Sequence, residues 1–209
     1  MAAPKYSEQL AELVSEIISE TKRPEKEEDI VRRIKNVTLQ KHRKARFWRD
    51  IEIVDLDLTV EGRNRTIDLT VLPPHRDILQ VAVQGFGELK KLDVSAALSA
   101  IAKNTPNCWY QLGHALHIQC NKAHGSILVA ILAKPIVEEA KYNSWLAREH
   151  PYAIIDEVSA FIFGDSGQVD KQSMRQNRVL TIHDPEIMRE QMLTDHDDLI
   201  GSQVILDTE

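Results

Sequence analysis

The chain has 209 residues, of which 43% are hydrophobic and 28% are charged, and its formal net charge is −6. This size fits one domain, or one domain that carries an insert, and the composition is that of a globular protein with a real core. The longest apolar runs, Ser126–Lys134 and Ala153–Gly164, are shorter than the ~18 residues of a membrane span, and no basic segment opens a secretory signal. The two cysteines, Cys108 and Cys120, are too few for a disulfide framework, so free thiols and cytosolic synthesis are expected.

The negative charge is concentrated at the C-terminal end. Residues 184–209 contain eight acids and one base, whereas the first 183 residues carry a net charge of +1. The last residues, 196–209, combine acids with scattered apolar side chains and show no helical period. This pattern predicts an extended arm that is solvated or docks on a partner. The apolar residues of the arm are Leu199, Ile200, Val204, Ile205 and Leu206.

The N-terminal 50 residues have the period of amphipathic helices. Apolar residues from Leu10 to Ile18 recur at helical spacing and predict a helix from about Ser7. A break at Thr21–Pro24 precedes a second helix, whose first turn is acidic and whose far end is basic, as the helix dipole favours. The bases at that far end are Lys41, Arg43, Lys44, Arg46 and Arg49.

After Trp48 the apolar period changes from 3.6 to 2, which indicates β-strands over residues 51–134. A strand from Ile51 to Val60, a turn at Glu61–Asn64 and a strand at Ile67–Val71 predict a hairpin. A third strand at Ile78–Gln84 and a short helix capped by Asp93 follow. The next three strands, predicted to form a meander, are Cys108–Leu112, Ala115–Cys120 and Ser126–Leu132.

The helical period returns at Asn143. One buried helix to Gly164, a second at Gln168–Leu180 and a third from Asp184-Pro185 to about Leu193 are predicted, with Asp184 as the N-cap. The predicted class is α+β, with an antiparallel β unit (51–134) inserted into one helical body (1–50 and 142–195).

Several short motifs follow one another in a specific order. They are Phe47-Trp48 at a helix end, Leu72-Pro73-Pro74-His75 after a strand pair, the strand Ile78–Gly85, the proline, aromatic strand and glycine of Asn104–Ile118, the strand Ile127–Lys134 before Pro135, and the Trp-Leu…Pro helix start of Asn143–Tyr152. Together they resemble the head-to-tail connector (adaptor) family of tailed bacteriophages, especially the short-tailed ones. The strand Ile127–Lys134 departs from the family pattern, because it is rich in Leu, Val and Ala where the family has tyrosines.

The resemblance implies a structural virion protein of the tail or neck, assembled in the host cytoplasm, and not an enzyme. It implies a homo-oligomeric ring, typically twelvefold, below the portal protein and above a tail tube or nozzle protein. The C-terminal arm would dock on the portal, and double-stranded DNA would pass through the ring with non-specific contacts. Neither a metal nor a cofactor is expected.

Two catalytic-looking clusters are compatible with turns and surface charge. Asp68 with Glu88-Leu89-Lys90 mimics the D…E-x-K core of a Mg²⁺-dependent nuclease, but two glycines immediately precede Glu88. His114, His117, Cys120 and His124 have zinc-ligand chemistry, but His114 and His117 would point to opposite faces of a strand. No nucleotide-binding or hydrolase motif occurs in the sequence.

The basic stretch Lys35–Arg49 offers a third interpretation, a DNA-binding module. Phe47 and Trp48 lie among its bases, and aromatic side chains in basic patches can stack on nucleotide bases. The simpler interpretation is a helix C-terminus with favourable charge and two core aromatics. A DNA-conducting channel needs only weakly attractive walls, so Lys41, Arg43, Lys44, Arg46 and Arg49 are candidates for its lining.

Overall fold

A computed structural model describes residues 5–23, 25–56, 64–103, 105–121 and 126–191. It confirms the α+β class and divides the chain into two compact units. The helical unit comprises the described residues of Met1–Arg49 and Pro135–Glu209, and the β unit comprises those of Asp50–Lys134. None of the helices in these ranges is long and apolar enough to cross a membrane.

The helices are α1 (Glu8–Thr21), α2 (Glu27–Lys44), α3 (Val94–Lys103), α4 (Trp145–Glu149), α5 (Pro151–Asp165), α6 (Val169–Arg178) and α7 (Asp184–Met188). The strands are β1 (Ile51–Leu56), β2 (Asn64–Asp68), β3 (His75–Val83), β4 (Gly87–Glu88), β5 (Lys90–Lys91), β6 (Cys108–Leu112), β7 (Ala115–Gln119) and β8 (Ile127–Ala133).

The two N-terminal helices are confirmed, and their ends have clear local causes. Ser7 caps α1, because its Oγ accepts a hydrogen bond from the amide of Leu10 at 3.3 Å. Lys22 then takes the left-handed conformation that ends the helix. The apolar faces of α1 and α2 pack against α5, which is buried over most of its surface and forms the centre of the helical core.

The long helix predicted from Asn143 to Gly164 is interrupted. It forms α4 and α5, with His150 between them and Pro151 at the start of α5. Proline lacks the amide hydrogen that would continue the helix and suits a first-turn position, so a new helix begins there.

The predicted N-cap at Asp184 is wrong. A π-helical turn, Val179–His183, leads from α6 directly into α7, which ends at Met188. The Asp184 carboxylate does not cap the helix because it binds two lysines of α2. Pro185, which has no amide hydrogen, lies in the first turn of α7 beside the widened π turn.

The β unit contains two four-stranded sheets, with strand orders β1-β8-β3-β4 and β2-β7-β6-β5. Among the described residues, the first two strands do not pair with each other as the predicted hairpin requires, since β1 pairs with β8 and β2 pairs with β7. Residues 57–63, which include the end of the first predicted strand and most of the predicted turn, lie outside the described residues. The β6–β7 hairpin is correct, but β8 leaves the predicted meander and joins the other sheet.

The apolar character of β8 explains this arrangement. Ile127, Val129 and Ile131 are fully buried, which suits a central strand with a neighbour on each side, and β1 and β3 occupy those two sides. Buried residues from both sheets, among them Trp109 of β6 and Val129 of β8, form one shared core. Asp93 caps α3 as predicted, through a hydrogen bond that its Oδ1 accepts from the amide of Ala96.

Candidate interaction surfaces

Lys41 is buried within the helical unit. Its side chain is 1% exposed, and its Nζ lies 2.6 Å from Glu157 Oε2 and 3.0 Å from Asp184 Oδ1. This burial does not fit the prediction that Lys41 lines a DNA channel. Its position in the last turn of α2 turns the side chain toward α5 and α7, where two carboxylates neutralise it.

The other four predicted lining residues are exposed, and Lys44 and Arg49 form ion pairs on the surface. Lys44 binds Asp184 at 2.7 Å, and Arg49 binds Glu149 at 2.7 Å and Glu190 at 3.2 Å. Arg43 and Arg46 are exposed at the end of α2.

The two aromatic residues after this basic stretch have opposite environments. Phe47 is fully buried, with its ring centre 5.4 Å from that of Trp145, whereas Trp48 is 52% exposed. The prediction of two core aromatics is thus wrong for Trp48. We call the exposed residues Arg43, Arg46 and Trp48 the basic knob.

A groove of about 580 Å³ runs between α1 and the helices α4 and α5. One wall carries three glutamates of α1, spaced one helical turn apart. Apolar side chains, Leu13 and Ile155 among them, form much of the remaining lining, and Tyr152 is 46% exposed there. We call this site the α1–α5 groove. Its three wall glutamates are Glu8, Glu12 and Glu16.

The wall of the groove is strongly acidic. Within the described ranges, none of its three glutamates makes a salt bridge, and the one base in the lining, Arg148, donates to Asn143 Oδ1 at 3.0 Å. Elsewhere in the helical unit, carboxylates are commonly paired, as in Arg33–Asp165 and Lys35–Glu139. The groove therefore combines an apolar surface with negative charge that its own residues leave unneutralised.

Tyr142 belongs to the lining of the groove and has a buried hydroxyl. Its oxygen lies 2.7 Å from Thr38 Oγ1. Burial raises the pKa of Tyr142 to about 12, an effect that the hydrogen bond with Thr38 partly opposes.

This raised pKa predicts a stability loss at high pH. Between the ordinary tyrosine pKa of about 10 and the folded value of about 12, the unfolded chain ionises Tyr142 and the folded chain does not, so the free energy of unfolding falls as pH rises through that window. Absorbance titration should show a step near pH 12 that Tyr142→Phe lacks. If Tyr142→Phe instead removes a step near pH 10, the result contradicts the assignment of this hydroxyl to a buried environment.

A second buried network, which the sequence did not reveal, joins α5 to α6 and the π turn. Asp156 is fully buried, accepts hydrogen bonds from Arg175 and His183 (2.9 Å), and forms a salt bridge with Arg178 (3.2 Å). Arg175 also binds Glu20 of α1. Burial lowers the pKa of Arg175, but its hydrogen bonds to Asp156 and Glu20 outweigh this effect and raise it. The spacing from Asp156 to its partners follows no known motif, so only the fold brings them together.

The residues of the nuclease hypothesis are divided between the two sheets. Asp68 ends β2 and accepts a hydrogen bond from the amide of Thr70 at 2.8 Å, which lowers the pKa of this carboxyl. Glu88 belongs to β4 in the other sheet, and Lys90 is an exposed residue of β5.

The histidines of the proposed zinc pattern are also separated. His114 is exposed in the turn between β6 and β7, while the His117 ring stacks on Tyr110 with the ring centres 5.1 Å apart. Cys120 is buried, and His124 lies outside the described residues. Across the described part of the chain, no group of three or more His, Cys, Asp or Glu residues could hold a metal ion.

The five apolar residues of the predicted docking arm lie outside the described residues. They are Leu199, Ile200, Val204, Ile205 and Leu206. The chain matches no protein-family model. A search of curated proteins likewise gives no match.

Proposed function

We propose that this chain is a structural ring subunit that joins the portal to the tail of a tailed-phage virion. The observation that carries the proposal is the contact between Phe47 and Trp145. These aromatics belong to the first and last motifs of the resemblance, and they flank the β insert in sequence. Their packing gives the two motifs a common structural role. It joins the segment that precedes the β insert to the segment that follows it within the helical unit.

The charges of the chain support a structural role over a catalytic one. Buried ionisable groups of the helical unit, among them Lys41 and Asp156, form salt bridges between helices. Such networks hold the helices in place relative to one another, and their charged groups are paired with each other in salt bridges. In the proposed ring, the helical unit provides the rigid body, and the acidic arm of residues 196–209 docks on the portal.

The proposal predicts binding to the portal protein encoded in the same genome. The purified chain, mixed with assembled portal rings, should sediment with them and add a ring of density of the same symmetry in electron-microscopy averages. A chain that stays unbound at concentrations well above micromolar would contradict the proposal.

A truncated chain provides the matched control. Removal of Asp198–Glu209 should leave the melting transition of the protein intact and weaken its binding to portal rings. Loss of the cooperative melt on truncation would instead show that these residues belong to the fold.

A further inference from the structure

We infer that the α1–α5 groove receives the basic knob of a second copy of this chain. This inference rests on the proposed ring and specifies its subunit interface. In each copy, the acidic groove would bind one neighbour while the knob of that same copy enters the groove of the other neighbour.

The groove has the properties of an interface that is incomplete in a single copy. Glu8, Glu12 and Glu16 repel one another across successive turns of α1, which disfavours the helix of the isolated chain. Beside them lies the half-exposed Tyr152, while Leu13 lines the groove with only 3% of its surface exposed. A ligand that matches this surface presents positive charge together with an apolar or aromatic side chain.

The basic knob has this chemistry. Arg43 and Arg46 are exposed near the end of α2, and Trp48 exposes about half of its ring two residues after Arg46. Arginine and tryptophan are the residue types that most often dominate the binding energy of protein interfaces. The chain therefore carries both complementary surfaces, which identifies a second copy as the partner.

The placement of the two surfaces suits a ring. Trp145 and Glu149, one turn apart on α4, contact Phe47 and Arg49 beside the knob. Ala147, two residues from each of them, lines the groove from another side of the same helix. A contact between two different patches is heterologous. Such a contact generates a closed ring when the rotation from each subunit to the next adds up to a full turn.

Charge reversal tests the interface. We would compare the full-length wild-type chain with Glu12→Lys, with Arg43→Glu and with the double variant that carries both changes. Assembly on portal rings and self-association of the chain alone at high concentration would both be measured by sedimentation. Glu138→Lys, which reverses an exposed acid outside the groove, is the matched control.

Each single reversal should weaken assembly about tenfold or more, because like charges then face each other at every interface of the ring. The double variant should recover, since its reversed groove meets a reversed knob in every neighbour. The melting temperature of Glu12→Lys should equal or exceed that of the wild type, because the new lysine lies one turn from two glutamates. A loss of assembly in this variant is then not due to unfolding.

The outcomes separate the interface from the adaptor role. Single variants that assemble like the wild type, or a double variant no better than the weaker single one, overturn the inference and indicate that the groove binds another partner or none. Self-association that depends on the two charges, without portal binding, supports the interface and overturns the adaptor role. A wild-type chain that neither self-associates nor joins portal rings overturns both.

Discussion

Replacing Asp156 with alanine is expected to lower the free energy of unfolding of the helical unit by about 3–5 kcal/mol. The carboxylate is fully buried, accepts hydrogen bonds from Arg175 and His183, and forms a salt bridge with Arg178. Its removal leaves the nearly buried guanidinium of Arg175 with Glu20 as its remaining salt-bridge partner among the described residues. Urea unfolding, followed by hydrogen exchange at the amides of α5 and α6, would measure the loss.

Asp170→Asn is the matched control for this change. Asp170 is an exposed residue of α6, and the described structure gives it no salt bridge, so the substitution should change stability by less than about 0.5 kcal/mol. If Asp156→Ala is equally mild, the network is not the element that attaches α6 and the π turn to α5.

Replacing Lys41 with methionine is expected to cost about 3 kcal/mol, although methionine fills similar space. The ammonium group is the nearest cation to Glu157 and one of two that bind Asp184, and all three side chains are largely buried. Without the lysine, these carboxylates remain buried with too little positive charge around them. Urea unfolding of Lys41→Met at neutral pH would measure the cost.

The same substitution should change the acid sensitivity of the protein. Burial raises the pKa of Asp184, but the hydrogen bond from Lys44 and the charge of Lys41 outweigh it and hold the pKa below its ordinary value. A lowered carboxyl pKa stabilises the fold above the unfolded pKa of about 4, and this stabilisation is lost as pH falls through the folded value. The stability difference between wild type and Lys41→Met should therefore shrink below about pH 4.

Two further variants test the assignment of this cost to the buried lysine. Lys44→Met removes a half-exposed partner of the same carboxylate, so it should cost at most about 1 kcal/mol. In Lys41→Met combined with Glu157→Gln, neutralising one orphaned carboxylate should recover part of the loss. Equal effects of Lys41→Met and Lys44→Met would contradict the buried position of Lys41.

The parts of the fold that could be predicted depend on neighbouring residues. The cap at Ser7, the apolar spacing of α1 and the cap at Asp93 act over one or two helical turns, and the sequence shows them directly. Alternation or an apolar run likewise locates β1, β3, β6, β7 and β8. It places the second strand about three residues too late, and it does not show the two-residue strands β4 and β5. Strand partners were not predictable in this way, because β1 pairs with a strand more than 70 residues further along the chain.

The same distinction applies to the candidate site. Sequence spacing alone does not distinguish Lys41 from the exposed bases that follow it. Its burial depends on Glu157 and Asp184, which lie more than 100 residues away in sequence. The three groove glutamates are visible in the sequence at helical spacing. The sequence does not show that they line a groove, because Tyr152 and Ile155, which line the same groove, come from a distant part of the chain.

The division of the helical unit by the β insert has a consequence for synthesis on the ribosome. The helices α1 and α2 bury their apolar faces against α5, which ends about 120 residues after α2. At a synthesis rate of ~5–20 residues per second, the apolar faces of α1 and α2 stay unpaired for roughly 6–24 s until α5 has been made, while the intervening β unit can already fold. We expect the nascent N-terminal helices to need shielding by a chaperone during that delay.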